Sequence, residues 1–251
     1  MAFAELTAEP DWQAVDFISD LHLQASEPAT FIAWHQYMKT SPADAIFILG
    51  DLFEVWVGDD VVQGEGFEHQ CATIIRQTAQ RAPVFFMHGN RDFLAGSALM
   101  AACNATWMAD PTVLIFQGQR WLLSHADALC TADVDYLKFR QQVRSPVWQK
   151  NFLTKPLAER QTIARGLRQQ SEALKVSNAN FADVDAPAAR DWLQLANART
   201  LIHGHTHKPA THDLGNGLQR VVLSDWDADA MPARAQVMRL ANGRLQRMNL
   251  L

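Results

Sequence analysis

The strongest constraint on the fold is a regular alternation of short apolar runs with segments of helical length. Residues 15–18, 45–49 and 84–87 are apolar runs of strand length. The segments between them, 27–39 and 67–81, are typical of helices, and in the second of them apolar residues recur at 3–4 spacing. Since strand–helix–strand units join parallel strands, this pattern predicts an α/β domain whose sheet is largely parallel and covered by helices.

Antiparallel elements follow in the second half of the chain. A Gln-Gly-Gln turn predicts a hairpin between residues 112–116 and 120–124. A further strand is predicted at residues 200–202, and glycine-containing turns at 215–217 and 242–243 predict two more hairpins. The expected fold is therefore a sheet-rich domain that combines parallel and antiparallel pairing.

A basic helical segment interrupts this domain. After Asp133 the periodicity is helical, and residues 136–175 contain nine Lys or Arg against two Glu. This stretch therefore carries +7 and the remaining chain −12, which together give the net charge of −5. We interpret residues 1–251 as a single domain with a helical cap inserted at about residues 133–185. The acidic host domain argues against general nucleic-acid binding.

Composition excludes several other classes of protein. Hydrophobic residues make up 48% of the chain, which is typical of a globular protein, and no apolar run has the length of a membrane span. The first residues are acidic, so a signal peptide is not expected. The three cysteines form no C-x-x-C pair, so neither a disulfide framework nor a thiolate zinc site is expected. A reducing cytoplasm fits these features best.

Polar side chains follow the predicted strands at the point where each strand ends. The segments concerned are Ser19-Asp20-Leu21-His22, Gly50-Asp51, His88-Gly89-Asn90-Arg91-Asp92, Ser124-His125 and His203-Gly204-His205-Thr206-His207. Because ligands bind at the carboxyl ends of strands in α/β sheets, we expect these side chains to meet at one edge. Carboxylate and amide oxygens with imidazole nitrogens suit divalent metals such as manganese. The sequence therefore predicts a metal centre.

This set of short motifs resembles the calcineurin-like metallophosphoesterases, which share the order D-x-H, G-D, G-N, a lone His and G-H-x-H. The resemblance extends over residues 15–208 and implies an α+β sandwich of two sheets flanked by helices. Carried over position by position, it implies two metal sites: Asp20, His22 and His207 for the first, Asn90, His125 and His205 for the second, and Asp51 bridging them. All of these residues are present.

The same resemblance implies a hydrolytic reaction. Two metals activate a hydroxide for in-line attack on phosphorus, so no covalent nucleophile is required. By resemblance, the catalytic residues are Asp51, Asn90, Arg91 and His205, of which Asn90, Arg91 and His205 also bind substrate. The guanidinium of Arg91 can pair with a phosphate oxygen, which supports its role independently.

Longer runs are similar to one branch of this family, the UDP-2,3-diacylglucosamine pyrophosphohydrolases of lipid A biosynthesis. The similar runs are residues 17–23, 50–60, 86–94 and 201–209. The branch's H-G-D-x-L-C-T-D-D run is retained from His125 except for Ala126 and Ala132. The resemblance implies hydrolysis of UDP-2,3-diacylglucosamine to UMP and 2,3-diacylglucosamine 1-phosphate, with two Mn²⁺ ions per chain.

Further substrate contacts are implied on the cap, at Asp133, Ser171, Lys175 and Asn178. Ser171 is retained in type, whereas Lys175 and Asn178 stand where the branch has Asn and Lys. Since positions i, i+4 and i+7 share one helical face, the exchange could preserve both contacts.

The cap also suggests a partner. Its basic charge is interleaved with aromatic residues, which favours attachment to an anionic membrane surface, and we expect a peripheral monomer on the cytoplasmic face of the inner membrane. A solvated basic face, or simple attraction of the diphosphate, would explain the same charge. Three other functions stay open: a metallophosphoesterase acting on another nucleotide diphosphate or phosphodiester, a non-catalytic scaffold, and a nuclease.

Overall fold

The computed structural model describes residues 3–177 and 183–251. The strands are β1 (Ala4–Thr7), β2 (Ala14–Ile18), β3 (Ala45–Leu49), β4 (Val84–Met87), β5 (Thr106–Met108), β6 (Thr112–Phe116), β7 (Gln119–Ser124), β8 (Thr200–His203), β9 (Thr211–Gly215), β10 (Leu218–Val222), β11 (Gln236–Ala241) and β12 (Arg244–Asn249). The α-helices are α1 (Pro28–Thr40), α2 (Phe67–Ala79), α3 (Ser97–Cys103), α4 (Val134–Val143), α5 (Pro146–Leu153), α6 (Leu157–Ser177) and α7 (Ala186–Leu195).

The strands form two six-stranded sheets. One sheet has the order β12-β11-β2-β3-β4-β5, in which β2, β3, β4 and β5 run parallel. The other has the order β1-β6-β7-β8-β10-β9, with β7 and β8 parallel. The predicted parallel strands and the three predicted hairpins are confirmed. Ile18 pairs with Ile48, and Ile48 with Phe86, so the parallel strands end at nearly the same level.

The main core lies between the two sheets. Phe17, Phe47 and Phe85 project from one sheet toward Leu123 and Ile202 of the other, and all five are buried. The rings of Phe47 and Phe85 stack with centroids 4.8 Å apart. Because side chains alternate along a strand, the intervening residues of β3 face the helices instead. These strands are therefore buried on both faces, which explains why their sequences are continuous apolar runs.

Helices cover both outer faces of the sandwich. Trp34 of α1 and Ile75 of α2 pack on the sheet that contains β3, and Leu193 of α7 packs on the other sheet. The arrangement is helix, sheet, sheet, helix, which confirms the sandwich expected from the sequence. Helices α1 and α2 match the predicted segments, whereas β1, β5 and α3 were not predicted because they are short and lack a clear period.

The cap consists of α4, α5 and α6, which lie in sequence between β7 and α7. Arg160 at the start of α6 is buried and forms an ion pair with Asp60 in the loop after β3. Phe152 of α5 is buried in the same core cluster as the host helices. Within the described residues, no helix is both long enough and apolar enough to span a bilayer.

Candidate metal centre

The structure brings together all seven residues that the resemblance assigns to metals. They lie at the carboxyl ends of five strands: Asp20 and His22 after β2, Asp51 after β3, Asn90 after β4, His125 after β7, and His205 and His207 after β8. Because β2, β3 and β4 lie side by side in one sheet, and β7 and β8 in the other, the site occupies the edge where both sheets end. The sandwich itself therefore assembles the cluster.

The backbone is strained at five of these seven residues. The φ angles are +54° at Asp20, +50° at His22, +52° at Asp51, +70° at His205 and +53° at His207. A non-glycine residue in the left-handed region costs of order 1–3 kcal/mol and persists only where the surroundings enforce it. Here the loops enforce it through backbone hydrogen bonds, such as Asp20 N to Gly50 O at 3.1 Å. Strain of this kind is typical of a functional site.

The first group of donors consists of Asp20, His22 and His207. Oδ1 of Asp20 is 3.3 Å from Nε2 of His207, which is 3.2 Å from Nε2 of His22. One donor atom from each residue lies within 4.8 Å of those of the other two. Two imidazole nitrogens and a carboxylate oxygen that face one another suit a divalent cation.

The second group consists of Asn90, His125 and His205. Oδ1 of Asn90 lies 3.0 Å from Nε2 of His125 and 2.8 Å from Nδ1 of His205. Nδ1 of His125 donates to the carbonyl of Leu49 at 3.0 Å, so Nε2 is the nitrogen that faces the cluster and that would offer its lone pair once the ring is neutral. Three donors again converge, this time from both sheets.

Asp51 lies between the two groups. Its Oδ2 is 3.7 Å from Nε2 of His125 and 3.9 Å from Nε2 of His22. The other oxygen, Oδ1, accepts a hydrogen bond from the backbone N–H of Arg91 at 2.8 Å. The carboxylate is 2% exposed, so it stands between the two groups with little access to solvent. This is the position that a bridging ligand requires.

The charge states of these residues suit cations. Burial opposes ionisation of Asp20, but His207 and neighbouring histidines lower the pKa of its carboxyl well below the usual range. Burial, reinforced by His125, lowers the pKa of His205 to about 4. Burial also opposes charge on His125, yet carboxylates, Asp51 and Asp20 foremost, raise its pKa to about 9. Asp20 thus stays ionised, His205 stays neutral, and His125 holds a proton that a metal would displace. The residues fit two divalent ions.

Asp92 organises the two central loops. Its Oδ2 accepts from the backbone N–H of Leu52 at 2.8 Å and its Oδ1 from that of Gly89 at 2.7 Å. Burial, with a contribution from Asp51, raises the pKa of Asp92 to about 7. Asp92 therefore holds the loops of Asp51 and Asn90 in register without itself facing the donors.

Arg91, a predicted substrate-binding residue, lies beside the donor groups. It follows Asn90, is partly exposed, and is fixed at its backbone by Asp51. Its Nε is buried and has no hydrogen-bond partner among the described residues. A buried guanidinium nitrogen without a partner is unfavourable unless a ligand meets it, as a phosphate oxygen would.

The structure describes the positions of three of the four predicted substrate contacts on the cap. Asp133 is exposed and caps the N-terminus of α4, where its carboxylate accepts from the N–H of Tyr136 at 3.0 Å. Ser171 and Lys175 lie within α6, and Asn178 lies outside the described residues. Their roles stay predictions.

One residue beside the site was not predicted. The side chain of Glu54 is 8% exposed, and its Oε2 lies 2.9 Å from Nδ1 of His22. A sequence clue existed, because Glu54 is the single charged residue in the otherwise apolar run of residues 52–57. An acid in an apolar run directly after Gly50-Asp51 indicates a buried carboxylate with a specific partner.

Comparison with known proteins agrees with this geometry. The model of the calcineurin-like phosphoesterase family matches residues 14–209, which include every donor described above. The chain belongs to the calcineurin-like phosphoesterase family. It is accordingly a metal-dependent hydrolase with the two-sheet fold of that family.

Several relatives carry the same name. A UDP-2,3-diacylglucosamine hydrolase from Ralstonia nicotianae is 43% identical over 245 residues, which cover 92% of this chain and 90% of that protein. Proteins of the same name from Chromobacterium violaceum and Cellvibrio japonicus are 44% and 41% identical, over 85% and 84% of this chain and 90% of each of those proteins. The similarity thus includes the cap as well as the phosphoesterase core.

Proposed function

We propose that this enzyme hydrolyses the pyrophosphate bond of UDP-2,3-diacylglucosamine to give UMP and 2,3-diacylglucosamine 1-phosphate in lipid A biosynthesis. The observation that carries the proposal is the 41–44% identity with proteins named for this substrate, over at least 84% of the chain. The assembled donor cluster supports the hydrolytic step, and the basic cap supports an anionic substrate with lipid chains.

The proposed roles follow from the positions of the side chains. Arg91 would bind a phosphate oxygen through its unpartnered Nε, beside the bridging Asp51. Asn90 and His205, 2.8 Å apart, would fix both the second metal and the phosphate that binds to it. When bound, two divalent ions would supply an activated water and neutralise charge on the phosphate. Orientation by these protein groups would set the line of attack.

We propose manganese for both sites, with two ions per chain. Mixed carboxylate, amide and imidazole donors support Mn²⁺ over metals that prefer thiolates. All seven donors come from one chain, which supports action as a monomer.

We also propose that the enzyme attaches peripherally to an anionic membrane surface, at the cytoplasmic face of the inner membrane. The support is the +7 charge of residues 136–175 together with exposed apolar side chains on the cap. Val147 is 72% exposed and Leu153 is 43% exposed. Basic residues near a membrane add about 1 kcal/mol of attraction each, and apolar side chains insert between headgroups.

The reaction can be tested directly. Metal-free protein is incubated with UDP-2,3-diacylglucosamine, with and without Mn²⁺, in ¹⁸O-labelled water, and the products are followed by phosphorus NMR. We expect UMP and the lipid monophosphate only with Mn²⁺, and ¹⁸O on one of the two products. Turnover of a generic phosphodiester alone would remove the lipid assignment and favour another metallophosphoesterase. Inactivity on both would favour a scaffold.

Membrane attachment has a separate test. We expect Lys138→Ala, at a side chain 73% exposed on the cap, to weaken binding to phosphatidylglycerol vesicles about fivefold, which corresponds to about 1 kcal/mol. Lys39→Ala is the matched control, since Lys39 is an exposed lysine at the end of α1 in the host domain. Vesicle sedimentation measures both. Equal binding by the two variants, or equal binding to phosphatidylcholine, would contradict the role of the cap.

A further inference from the structure

We propose that Glu54 is a positioning residue, which orients the metal ligand His22 and connects it to cap helix α6 through Arg168. The inference rests on the proposed two-metal function. It concerns a side chain that belongs to none of the short motifs and lies against His22, on the side of the ring that faces away from the other donors.

The position of Glu54 follows from the pairing of two loops. The loop after β2 runs alongside the loop after β3, and the backbone N–H groups of His22 and Leu23 donate to Asp51 O at 3.1 Å and Leu52 O at 2.9 Å. The N–H of Glu54 returns a hydrogen bond to Leu23 O at 3.2 Å. These bonds bring the side chains of His22 and Glu54 together and keep Glu54 buried.

The carboxylate determines which nitrogen of His22 faces the donors. Oε2 of Glu54 lies 2.9 Å from Nδ1, so the carboxylate stabilises a proton on that nitrogen electrostatically, although the two atoms do not form a hydrogen bond of standard geometry. The lone pair then lies on Nε2, which faces His207 at 3.2 Å and Asp51 at 3.9 Å. A carboxylate behind a ligating histidine fixes its tautomer and raises its basicity, and its loss typically lowers metal affinity or activity about 10–100-fold.

The second oxygen of Glu54 connects the site to the cap. Oε1 forms an ion pair with Arg168, whose side chain is 32% exposed, on α6. A carboxylate this deeply buried is unfavourable unless it is paired, so Arg168 stabilises the charge that orients His22. Helix α6 also carries Ser171 and Lys175, at which substrate contacts are predicted. One side chain therefore joins the first metal group to the helix expected to bind substrate.

The test measures Mn²⁺ binding to the metal-free full chain by calorimetry, together with kcat and KM. In Glu54→Ala we expect one of the two Mn²⁺ sites to weaken about 10–100-fold, with the other site little changed. Glu54→Gln keeps the shape and can still accept from Nδ1, so its loss should be smaller. Because the defect lies in metal binding, excess Mn²⁺ should restore kcat in both variants.

The link to the cap needs a matched pair of arginine variants. Arg168→Ala should weaken the same Mn²⁺ site and also raise KM, whereas Arg165→Ala should do neither. Arg165 is an exposed arginine on the same helix and bonds locally to Gln161 and Thr162, so it matches the change in charge. Thermal unfolding of each variant separates these effects from loss of fold.

Two results would overturn the inference. Wild-type affinity at both Mn²⁺ sites in Glu54→Gln and Glu54→Ala would remove the positioning role, and identical behaviour of Arg168→Ala and Arg165→Ala would remove the link to the cap. If the Glu54→Ala variant does not fold, Mn²⁺ binding by the isosteric Glu54→Gln variant still tests the positioning role. Failure of this inference can be distinguished from failure of the proposed function. The inference is tested by Mn²⁺ binding in the absence of substrate, whereas failure of the proposed function would appear as a wild-type enzyme that releases no UMP.

Discussion

Asp51→Asn is expected to lower kcat/KM about a thousandfold, which corresponds to about 4 kcal/mol of transition-state stabilisation. The amide has nearly the shape of the carboxylate but no charge. If the amide oxygen takes the place of Oδ2, 3.7–3.9 Å from both donor groups, the NH₂ takes the place of Oδ1 and opposes the backbone N–H of Arg91. If the amide is flipped, the NH₂ faces both donor groups, where a metal must bind. The variant should therefore lose at least one Mn²⁺ per chain. Metal analysis after gel filtration and the UMP-release assay measure the two effects.

The matched control is Asp135→Asn. Asp135 is an aspartate on the exposed surface of α4, with its side chain 97% exposed, so the same chemical change there should leave metal content and kcat/KM near wild type. An Asp51→Asn protein that keeps two Mn²⁺ and activity within tenfold of wild type would show that Asp51 does not bridge.

The convergence of the candidate metal donors was predictable because each of these residues follows a local pattern. Asp20, Asp51 and Asn90 directly follow short apolar runs, and the strands formed by those runs are neighbours in one sheet. The sequence could place these residues at strand ends, and general rules for parallel sheets then placed the ends together. No long-range contact had to be guessed.

The supporting contacts were not predictable in this way. Arg160 and Asp60 are 100 residues apart and form an ion pair across the junction of cap and host. Neither residue differs in its sequence surroundings from an ordinary surface charge. Their partners are set by how α6 packs on the loop after β3, which no periodicity encodes. The same holds for Glu54 and Arg168, although the position of Glu54 in an apolar run did indicate burial.

The first helix of the cap, α4, makes several contacts with the loops of the candidate metal centre. The buried Oδ2 of Asp127 accepts from the hydroxyl of Tyr136 at 2.6 Å and from Arg140 Nε at 2.8 Å, and Arg144 approaches to 3.3 Å. Arg144 also donates to the carbonyl of Gly89, next to Asn90. The ring of Tyr136 lies over that of His205 with centroids 6.1 Å apart. The three loops that carry the second donor group thus contact α4 or Arg144, the residue that follows it.

Gly89→Ala should disrupt the centre almost as severely as loss of Asp51, although it changes no functional group. A Cβ at Gly89 would lie against Oδ1 and the backbone nitrogen of Asp51 and 2.8 Å from its Cγ. The carboxylate would have to leave its position between the two donor groups, or the loop of Asn90 would have to move. We expect at least one Mn²⁺ to be lost, a fall in kcat/KM of about 10²–10³-fold and a loss of stability of about 1–3 kcal/mol.

The control for this substitution is Gly64→Ala. Gly64 is exposed, and the nearest atom to its added Cβ is the nitrogen of Gly66 at 4.0 Å, so the same methyl group meets no donor. Urea unfolding, metal content and UMP release are measured for both. If Gly89→Ala kept two Mn²⁺ and near-normal turnover, the loops would have to be flexible enough to accommodate the methyl group without loss of stability. The left-handed backbone at Asp51, His22 and Asp20 argues against that, since strained residues persist only where the surroundings hold them firmly.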